Sequence, residues 1–253
     1  MPVGTHLVLH EQPDADAILL DGERLGAVIV QTAERYATPL ALPLMDLTLE
    51  KAALLQACGV PAGETDTFHY ETAPPPPAAI AFTPRMQATY QAIAHVARRP
   101  DLVPMGMGIG PFSLMTKLVS DPITPVFLAG RGITAAEEPE VAVIERCLEL
   151  GTELILAYLA AQAEAGAKAI IVCEPAANLV YFSPNQLAAS FETFDRYVMG
   201  PMRRIKAMLT ARGVDLVFHN CGELTSEMVA RFATLDAAMI SLGGSRCLWE
   251  DAT

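Results

Sequence analysis

Positive charge and long apolar runs are both scarce in this chain of 253 residues. Its 17 lysines and arginines are outnumbered by 29 aspartates and glutamates, which gives a formal net charge of −12. Such a field repels phosphate backbones and anionic lipid surfaces, so we predict no nucleic-acid partner and no membrane partner. The sequence has no uninterrupted apolar run of about 18 residues, which argues against a membrane span.

The first residues lack the basic and then apolar pattern of a secretory signal, and we expect a cytoplasmic protein. The five cysteines are odd in number and scattered, so a disulfide framework is not predicted. We expect free thiols or metal ligands instead. The cysteines are Cys58, Cys147, Cys173, Cys221 and Cys247.

Helical patterns alternate with short apolar runs from residue 26 onward. Near-continuous apolar strands separated by helices predict a parallel sheet covered by helices. A barrel and an open doubly wound sheet both fit this pattern. The predicted strands cover residues 39–45, 102–110, 168–173, 214–218 and 237–242, and the predicted helices cover residues 26–36, 49–58, 84–99, 137–166, 183–212 and 225–232.

Side chains capable of chemistry follow the ends of several predicted strands. They are Asp46, Glu174, His219 and Cys221. Both candidate folds place their sites at the carboxyl ends of the strands. Residues i and i+2 of a strand point to the same side, so we expect His219 and Cys221 to project together. One nitrogen and one sulfur ligand side by side form half of a zinc site.

Cys173 and Glu174 are adjacent at the end of one strand, so only one of them can face the interior of a barrel. We expect Glu174 to face inward. It could act catalytically as a proton acceptor for an incoming thiol, ligate the metal, or hold His219 in place. An ion-paired glutamate without a catalytic role is the structural alternative.

Three further residues are candidate substrate contacts. Asp46 could bind substrate or cap the helix that follows it. Asn178 and Tyr181 lie on the loop after Glu174, where hydrogen-bonding side chains could reach a substrate. The glycines within residues 105–110 lack the spacing of a phosphate loop. They would permit close backbone approach, for example to a large flat cofactor.

Several short sequence blocks occur in order along the chain. They are Leu-Pro-Leu-Met-Asp at 42–46, Gly-Pro-Phe-Ser-Leu at 110–114, Gly-Ala-Lys-Ala-Ile at 166–170 running to Glu-Pro at 174–175, Phe-Ser-Pro at 182–184, and residues 198–205. Together these blocks resemble the uroporphyrinogen decarboxylase superfamily of (β/α)8 TIM barrels. The resemblance implies an α/β barrel forming a single domain over residues 1–253, with residues 1–37 as an N-terminal extension. Because only five or six strands are evident, we expect the last βα units to be absent and the chain to be cut short.

Within that superfamily, His-Asn-Cys-Gly at residues 219–222 resembles the zinc-dependent methyltransferases. These enzymes move a methyl group between a corrinoid protein and a thiol or folate-type carrier. The resemblance implies Zn²⁺ bound by His219 and Cys221, and a methylcorrinoid carried by a partner protein. It also implies a later cysteine ligand, expected beyond residue 253, with Cys247 as another candidate.

Two alternatives stay open. The first is a decarboxylase of a tetrapyrrole or another polycarboxylate. Members of this kind have an arginine-rich N-terminal segment, which is missing here, and a tyrosine after the Gly-Pro-Phe block, where this chain has Lys117. The second alternative is a non-catalytic corrinoid- or tetrapyrrole-binding protein.

Overall fold

A computed structural model describes residues 3–247 of the chain. Five parallel strands form one curled sheet, and each strand pairs with the strands before and after it in the sequence. A doubly wound sheet would reverse its strand order, whereas a barrel does not. The order therefore favours part of a barrel. The strands are β1 (Leu40–Ala41), β2 (Val103–Ile109), β3 (Ala169–Cys173), β4 (Asp215–Asn220) and β5 (Met239–Leu242).

Helices connect the successive strands, as the alternating pattern predicted. The predicted helix over residues 183–212 is divided at Ser190, whose backbone is extended, and a π-helical turn at Asp195–Met199 later joins Glu192–Phe194 directly to Gly200–Thr210. The helices are α1 (Val3–His10), α2 (Ala15–Ile18), α3 (Gly22–Arg35), α4 (Leu49–Ala57), α5 (Pro84–Val96), α6 (Pro111–Leu118), α7 (Ile123–Gly130), α8 (Pro139–Glu164), α9 (Pro184–Ala189), α10 (Glu192–Phe194), α11 (Gly200–Thr210) and α12 (Ser226–Ala233), with a short 3₁₀ turn at Ala62–Glu64.

Polar side chains mark where several helices begin. The carboxylate of Asp21 accepts hydrogen bonds from the first turn of α3, and the hydroxyls of Thr83, Ser183 and Thr225 do the same for α5, α9 and α12. These bonds satisfy N–H groups that have no partner within the helix. Ser183 thus caps the start of the helix that the sequence predicts from residue 183.

The two faces of the sheet have different neighbours. On the outer face, Ile170, Val172 and Leu216 pack with the helices in the largest hydrophobic cluster. On the inner face, Met105 and Val217 belong to a separate small cluster that borders a cavity. A barrel likewise has helices outside its sheet and side chains inside it.

The amino-terminal region is helical, and it packs against the helix before β2. Leu25 and Ile29 of α3 and Ala92 and Val96 of α5 share a hydrophobic cluster with residues of α1 and β1. None of the helices within residues 3–247 combines the length and apolar character that a membrane crossing requires.

The alternating glycines of β2 face the helices, not the cavity. A Cβ atom at Gly106 would lie 2.5 Å from the side-chain oxygen of Gln162, and one at Gly108 would lie 2.9 Å from that of Glu50. The missing side chains leave room for these polar groups, which hydrogen-bond to the β2 backbone. The glycines therefore permit a close approach to the β2 backbone, as the sequence suggested. The groups that approach are buried side chains of the protein and not a flat cofactor.

Glu50 of α4 is a buried carboxyl group on this outer face. Its Oε1 accepts a hydrogen bond of 3.0 Å from the N–H of Ile109, while its buried Oε2 has no hydrogen-bond partner in the described part of the chain. Burial raises the pKa of Glu50 to about 8, although the N–H of Ile109 acts in the opposite direction. The folded protein therefore holds Glu50 protonated at neutral pH.

We predict that Glu50→Gln stabilises the protein increasingly as the pH rises. The unfolded chain ionises Glu50 at its ordinary pKa, but the folded chain does so only near pH 8. Its contribution to stability is therefore complete at low pH and is lost as the pH rises through the folded pKa. The loss is at most about 1.4 kcal/mol per pH unit. Urea unfolding between pH 5 and 9 measures the difference from wild type.

The exposed Glu164, at the end of α8, provides the matched control. Glu164→Gln should differ from wild type by the same small amount at every pH. A pH-independent difference for Glu50→Gln would show that Glu50 is already ionised in the folded protein.

Candidate functional site

A cavity of about 360 Å³ lies against the inner face of the sheet. This volume lies within the range of small-molecule sites. Apolar side chains such as Leu40, Met105 and Met107 form most of its wall. Asp215 lines it at the start of β4, and Cys173, His219 and Ser241 supply the chemically active groups toward the carboxyl ends of the strands.

Those three residues form one row across neighbouring strands. The Cα of Cys173 on β3 pairs with that of His219 on β4, and His219 pairs with Ser241 on β5. Adjacent parallel strands are about 4.8 Å apart, so the three side chains enter the cavity side by side. The sequence prediction did not include Cys173 or Ser241 in the site, because strand register cannot be read from a single strand.

The imidazole of His219 is held from one side and is without a partner on the other. The Nδ1 atom lies 3.0 Å from the Oγ of Ser241, and the buried Nε2 atom has no hydrogen-bond partner among residues 3–247. Only 5% of His219 is exposed. Burial lowers the pKa of His219, so the imidazole is neutral. If Nδ1 carries the proton and donates to Ser241, the lone pair lies on Nε2.

Cys221 is close to this row but does not line the cavity. It is exposed, one residue beyond the end of β4. The chain turns here because the side-chain oxygen of Asn220 accepts a hydrogen bond of 2.8 Å from the N–H of Gly222. The alternation that predicted a shared side for His219 and Cys221 ends with the strand. The expected common projection is therefore not present in the side chains.

Glu174 faces the outer side of the sheet, so the expectation that it faces inward is wrong. Cys173 occupies the inner position. A Cβ atom at Gly110 would lie 2.2 Å from the Oε2 of Glu174, which places the carboxyl group against the start of α6. Its oxygens accept hydrogen bonds from the N–H groups of Phe112 and Ser113, at 3.2 and 2.5 Å.

The Glu174 carboxyl group caps α6, whose N-cap residue is a glycine without a side chain. Burial raises the pKa of Glu174 to about 7, and the hydrogen bonds from Ser113 and Phe112 oppose that rise. Nearby, the amide of Asn220 donates to the carbonyl oxygens of Glu174 and Ala177. These contacts tie the end of β3 to both α6 and the end of β4.

Asp46 lies after β1 and is engaged with neighbouring side chains. Its Oδ1 accepts hydrogen bonds from the N–H and hydroxyl of Thr48, and its Oδ2 pairs with Arg85 at 2.9 Å. Burial would raise the pKa of Asp46, but the bonds from Thr48 and Arg85 outweigh burial and lower it. Its substrate-binding role stays a prediction, and the contacts match the alternative of organising the start of α4.

Asn178 and Tyr181 lie outside the cavity wall. Asn178 donates to the carbonyl of Pro175 and accepts from the N–H of Val180, so its amide shapes the loop after β3. The ring of Tyr181 packs edge-on against Phe112, with centroids 5.8 Å apart. Their proposed contacts with substrate remain predictions.

No group of three His, Cys, Asp or Glu side chains is assembled for a metal ion within residues 3–247. The side chain best prepared to bind a metal ion is His219, because its buried Nε2 has no hydrogen-bond partner among the described residues. Imidazole nitrogen and cysteine sulfur are the ligands that zinc prefers. The residues present therefore fit zinc in kind, but Cys221 would have to turn toward the cavity.

Comparison with known proteins gives one family and a shared fold. A family model described as uroporphyrinogen decarboxylase (URO-D) matches residues 21–250. Among solved structures, a methyltransferase from Methanosarcina mazei matches with a TM-score of 0.62 and 18% identity, over 88% of this chain. This chain spans 63% of the length of that one. No curated protein matches the sequence.

We predict that Glu174→Ala destabilises the protein by about 2–4 kcal/mol, because two buried N–H groups of α6 lose their acceptor. Glu174→Gln should be milder, since its amide oxygen can still accept a hydrogen bond. Urea unfolding measures both differences. Glu223→Ala, an exposed glutamate on the loop after β4, is the control and should be nearly neutral.

The zinc content of the variants shows whether Glu174 only caps α6 or also binds the metal. If Glu174 only caps α6, Glu174→Gln should bind as much zinc as the wild type. A folded Glu174→Gln protein that has lost its zinc would instead make Glu174 a ligand.

Proposed function

Because the chain belongs to the uroporphyrinogen decarboxylase family, we propose that it is a zinc-dependent methyltransferase of that family. In the proposed reaction, a methyl group moves between a corrinoid protein and a thiol or folate-type acceptor. The observation that carries the proposal is the buried Nε2 atom of His219, which has no hydrogen-bond partner. The shared fold with the Methanosarcina mazei methyltransferase supports it.

A buried imidazole nitrogen without a partner is costly unless another atom binds it. Leaving such a group unsatisfied costs about 1–3 kcal/mol. A metal ion at Nε2 would remove that cost, and a neutral imidazole is the form that ligates metals. Ser241 would then be the outer partner that fixes the ring, as ligating histidines usually require.

Cys221 would supply the second ligand from the rim of the cavity. Its backbone is held by the turn at Asn220 and by contact with Gly243, where a Cβ atom would lie 2.8 Å from the Cys221 oxygen. The exposed side chain can still rotate toward His219. We therefore propose that the metal ion binds at the carboxyl end of β4, after a small movement of the Cys221 thiol.

The chemistry follows from what a thiol acceptor requires. Methyl transfer to a thiol would break the bond between the methyl carbon and the corrinoid cobalt, leave its electron pair with the corrinoid, form a carbon–sulfur bond and release the thiol proton. A free thiol with a pKa of about 8.5 is mostly protonated at neutral pH. Zinc, when bound, would deprotonate a coordinating thiol. The apolar wall around His219, including Met105 and Met107, would keep water away from the acceptor.

A decarboxylase of a tetrapyrrole or another polycarboxylate is the second candidate, and the family description favours it. This reaction would not require zinc at His219. Turnover of a porphyrinogen by zinc-free protein, unchanged in His219→Ala, would support the decarboxylase over the methyltransferase. Binding of a corrinoid or tetrapyrrole without either reaction would support the non-catalytic alternative.

We predict that the 253-residue protein binds stoichiometric zinc and that His219→Ala and Cys221→Ser each weaken binding by more than about tenfold. Each variant removes one ligand. Metal analysis after dialysis and competition with a chromophoric chelator measure zinc content and affinity. His69→Ala, which removes an exposed histidine outside the cavity wall, should leave both values unchanged.

Methyl transfer from a methylated corrinoid protein to a panel of thiols and folates then tests the reaction itself. Wild-type protein without zinc, or zinc binding that survives both substitutions, would contradict the proposed site.

We also predict that Ser241→Ala weakens zinc binding by about 10- to 100-fold without removing a ligand. Loss of the hydroxyl frees the His219 ring to rotate and to exchange its proton between nitrogens. Chelator competition measures the affinity, with Ser120→Ala, an exposed serine, as the control. Equal affinity in Ser241→Ala and wild type would show that Ser241 does not position the ring.

A further inference from the structure

We infer that an internal water molecule binds between the carboxyl group of Glu50 and the hydroxyl of Tyr158, on the helical side of the sheet. This site joins α4 and α8 to the end of β2 through one hydrogen-bonding ligand. Neither residue lines the cavity on the inner face, so the inference is independent of the proposed zinc site and of the proposed reaction.

Glu50 and Tyr158 are both buried, and each has a polar atom without a partner. Glu50 is 1% exposed and Tyr158 is 0% exposed. The Oε2 of Glu50 and the hydroxyl oxygen of Tyr158 have no hydrogen-bond partner among residues 3–247. Buried polar groups are usually satisfied by protein atoms or by ordered water. Two such atoms in one place therefore indicate a shared ligand.

The packing around Gly108 brings the two side chains together. A Cβ atom at Gly108 would lie 2.9 Å from the Oε1 of Glu50 and 2.9 Å from the Cδ2 of Leu159, so the carboxyl group meets α8 over this strand residue. Tyr158 directly precedes Leu159 on α8, and its hydroxyl is an electrostatic neighbour of Glu50. The two groups are close but do not bond to each other, which is the arrangement that a bridging water spans.

The protons of the two groups suit a water between them. Burial raises the pKa of Glu50 to about 8, so the carboxyl group is protonated at neutral pH. Because Oε1 accepts a hydrogen bond from the N–H of Ile109, the proton belongs on Oε2, which then donates. Burial also raises the pKa of Tyr158, so the phenol keeps its proton. The water accepts a bond from Oε2 and donates one to the hydroxyl oxygen of Tyr158.

Thr89 of α5 supplies a third contact for the water. Its side chain lies beside the hydroxyl of Tyr158, and its own hydroxyl donates to the carbonyl of Arg85 at 2.9 Å. The oxygen of that hydroxyl is therefore left to accept the second proton of the water. Internal waters typically make about three hydrogen bonds, and Glu50, Tyr158 and Thr89 supply that number.

A metal cation is the other occupant that a buried carboxyl group suggests, and the surroundings oppose it. The N–H of Ile109 points its positive end at Oε1, and Glu50 would have to ionise against its burial. Asp46, the nearest further carboxylate named by its effect on Glu50, is paired with Arg85. A neutral ligand that both donates and accepts hydrogen bonds fits these groups better.

A crystal structure of the 253-residue protein, at a resolution that shows ordered waters, tests the inference. We expect one water peak within about 2.5–3.0 Å of both the Oε2 of Glu50 and the hydroxyl oxygen of Tyr158. Tyr158→Phe removes the second partner, and its crystal structure should lack this peak. Tyr197→Phe is the matched control and should keep it, because the buried hydroxyl of Tyr197 already donates to Glu145 at 2.8 Å.

Magnetic relaxation dispersion of the solvent counts long-lived internal waters and gives a readout in solution. Tyr158→Phe should hold one such water fewer than wild type, and Tyr197→Phe should hold the wild-type number. The inference is overturned by equal counts in Tyr158→Phe and wild type, by a direct bond between Glu50 and Tyr158 in the crystal, or by a metal ion or no peak between them. If Tyr158→Phe does not fold, the wild-type crystal structure decides by the same criteria.

Discussion

The register between β3, β4 and β5 is the constraint on which the rest of the site depends. Parallel pairing aligns Cys173, His219 and Ser241 in a single row that faces the cavity. Because side chains alternate along a strand, the same register sends Glu174 to the helical side. Strand register thus separates groups available for chemistry from groups that stabilise the fold, although the two sets are adjacent in the sequence.

The outer face shows what the alternating glycines of β2 and of the residue after it accomplish in this chain. Gly108 and Gly110 leave space for the carboxyl groups of Glu50 and Glu174, which accept hydrogen bonds from Ile109 and from the first turn of α6. Two of the sequence blocks that resemble the family, around Gly110 and Glu174, therefore contact each other. In this chain their contact joins α6 to the sheet, and it does not by itself identify a reaction.

The sequence predicted elements better than it predicted side-chain directions. Apolar runs located all five strands of the described residues, and the helix predicted from residue 183 begins at Pro184, the first residue of α9. The inward direction of Glu174 was wrong, because choosing between two adjacent residues requires knowing which one pairs in line with His219. The common projection of Cys221 also failed, since the hydrogen bond between Asn220 and Gly222 that ends the strand is a tertiary detail.

In the proposed zinc site, a ligand on a strand and a ligand on a loop would lose different amounts of freedom on binding. The position of His219 is fixed by the sheet, and Ser241 on the neighbouring strand holds the ring. Of the two proposed ligands, Cys221 lies outside this framework. Groups held by packed strands lose little freedom on binding, so most of the ordering cost would fall on one exposed thiol. Zinc affinity would then depend mainly on the turn after β4, which sets how far that thiol must move.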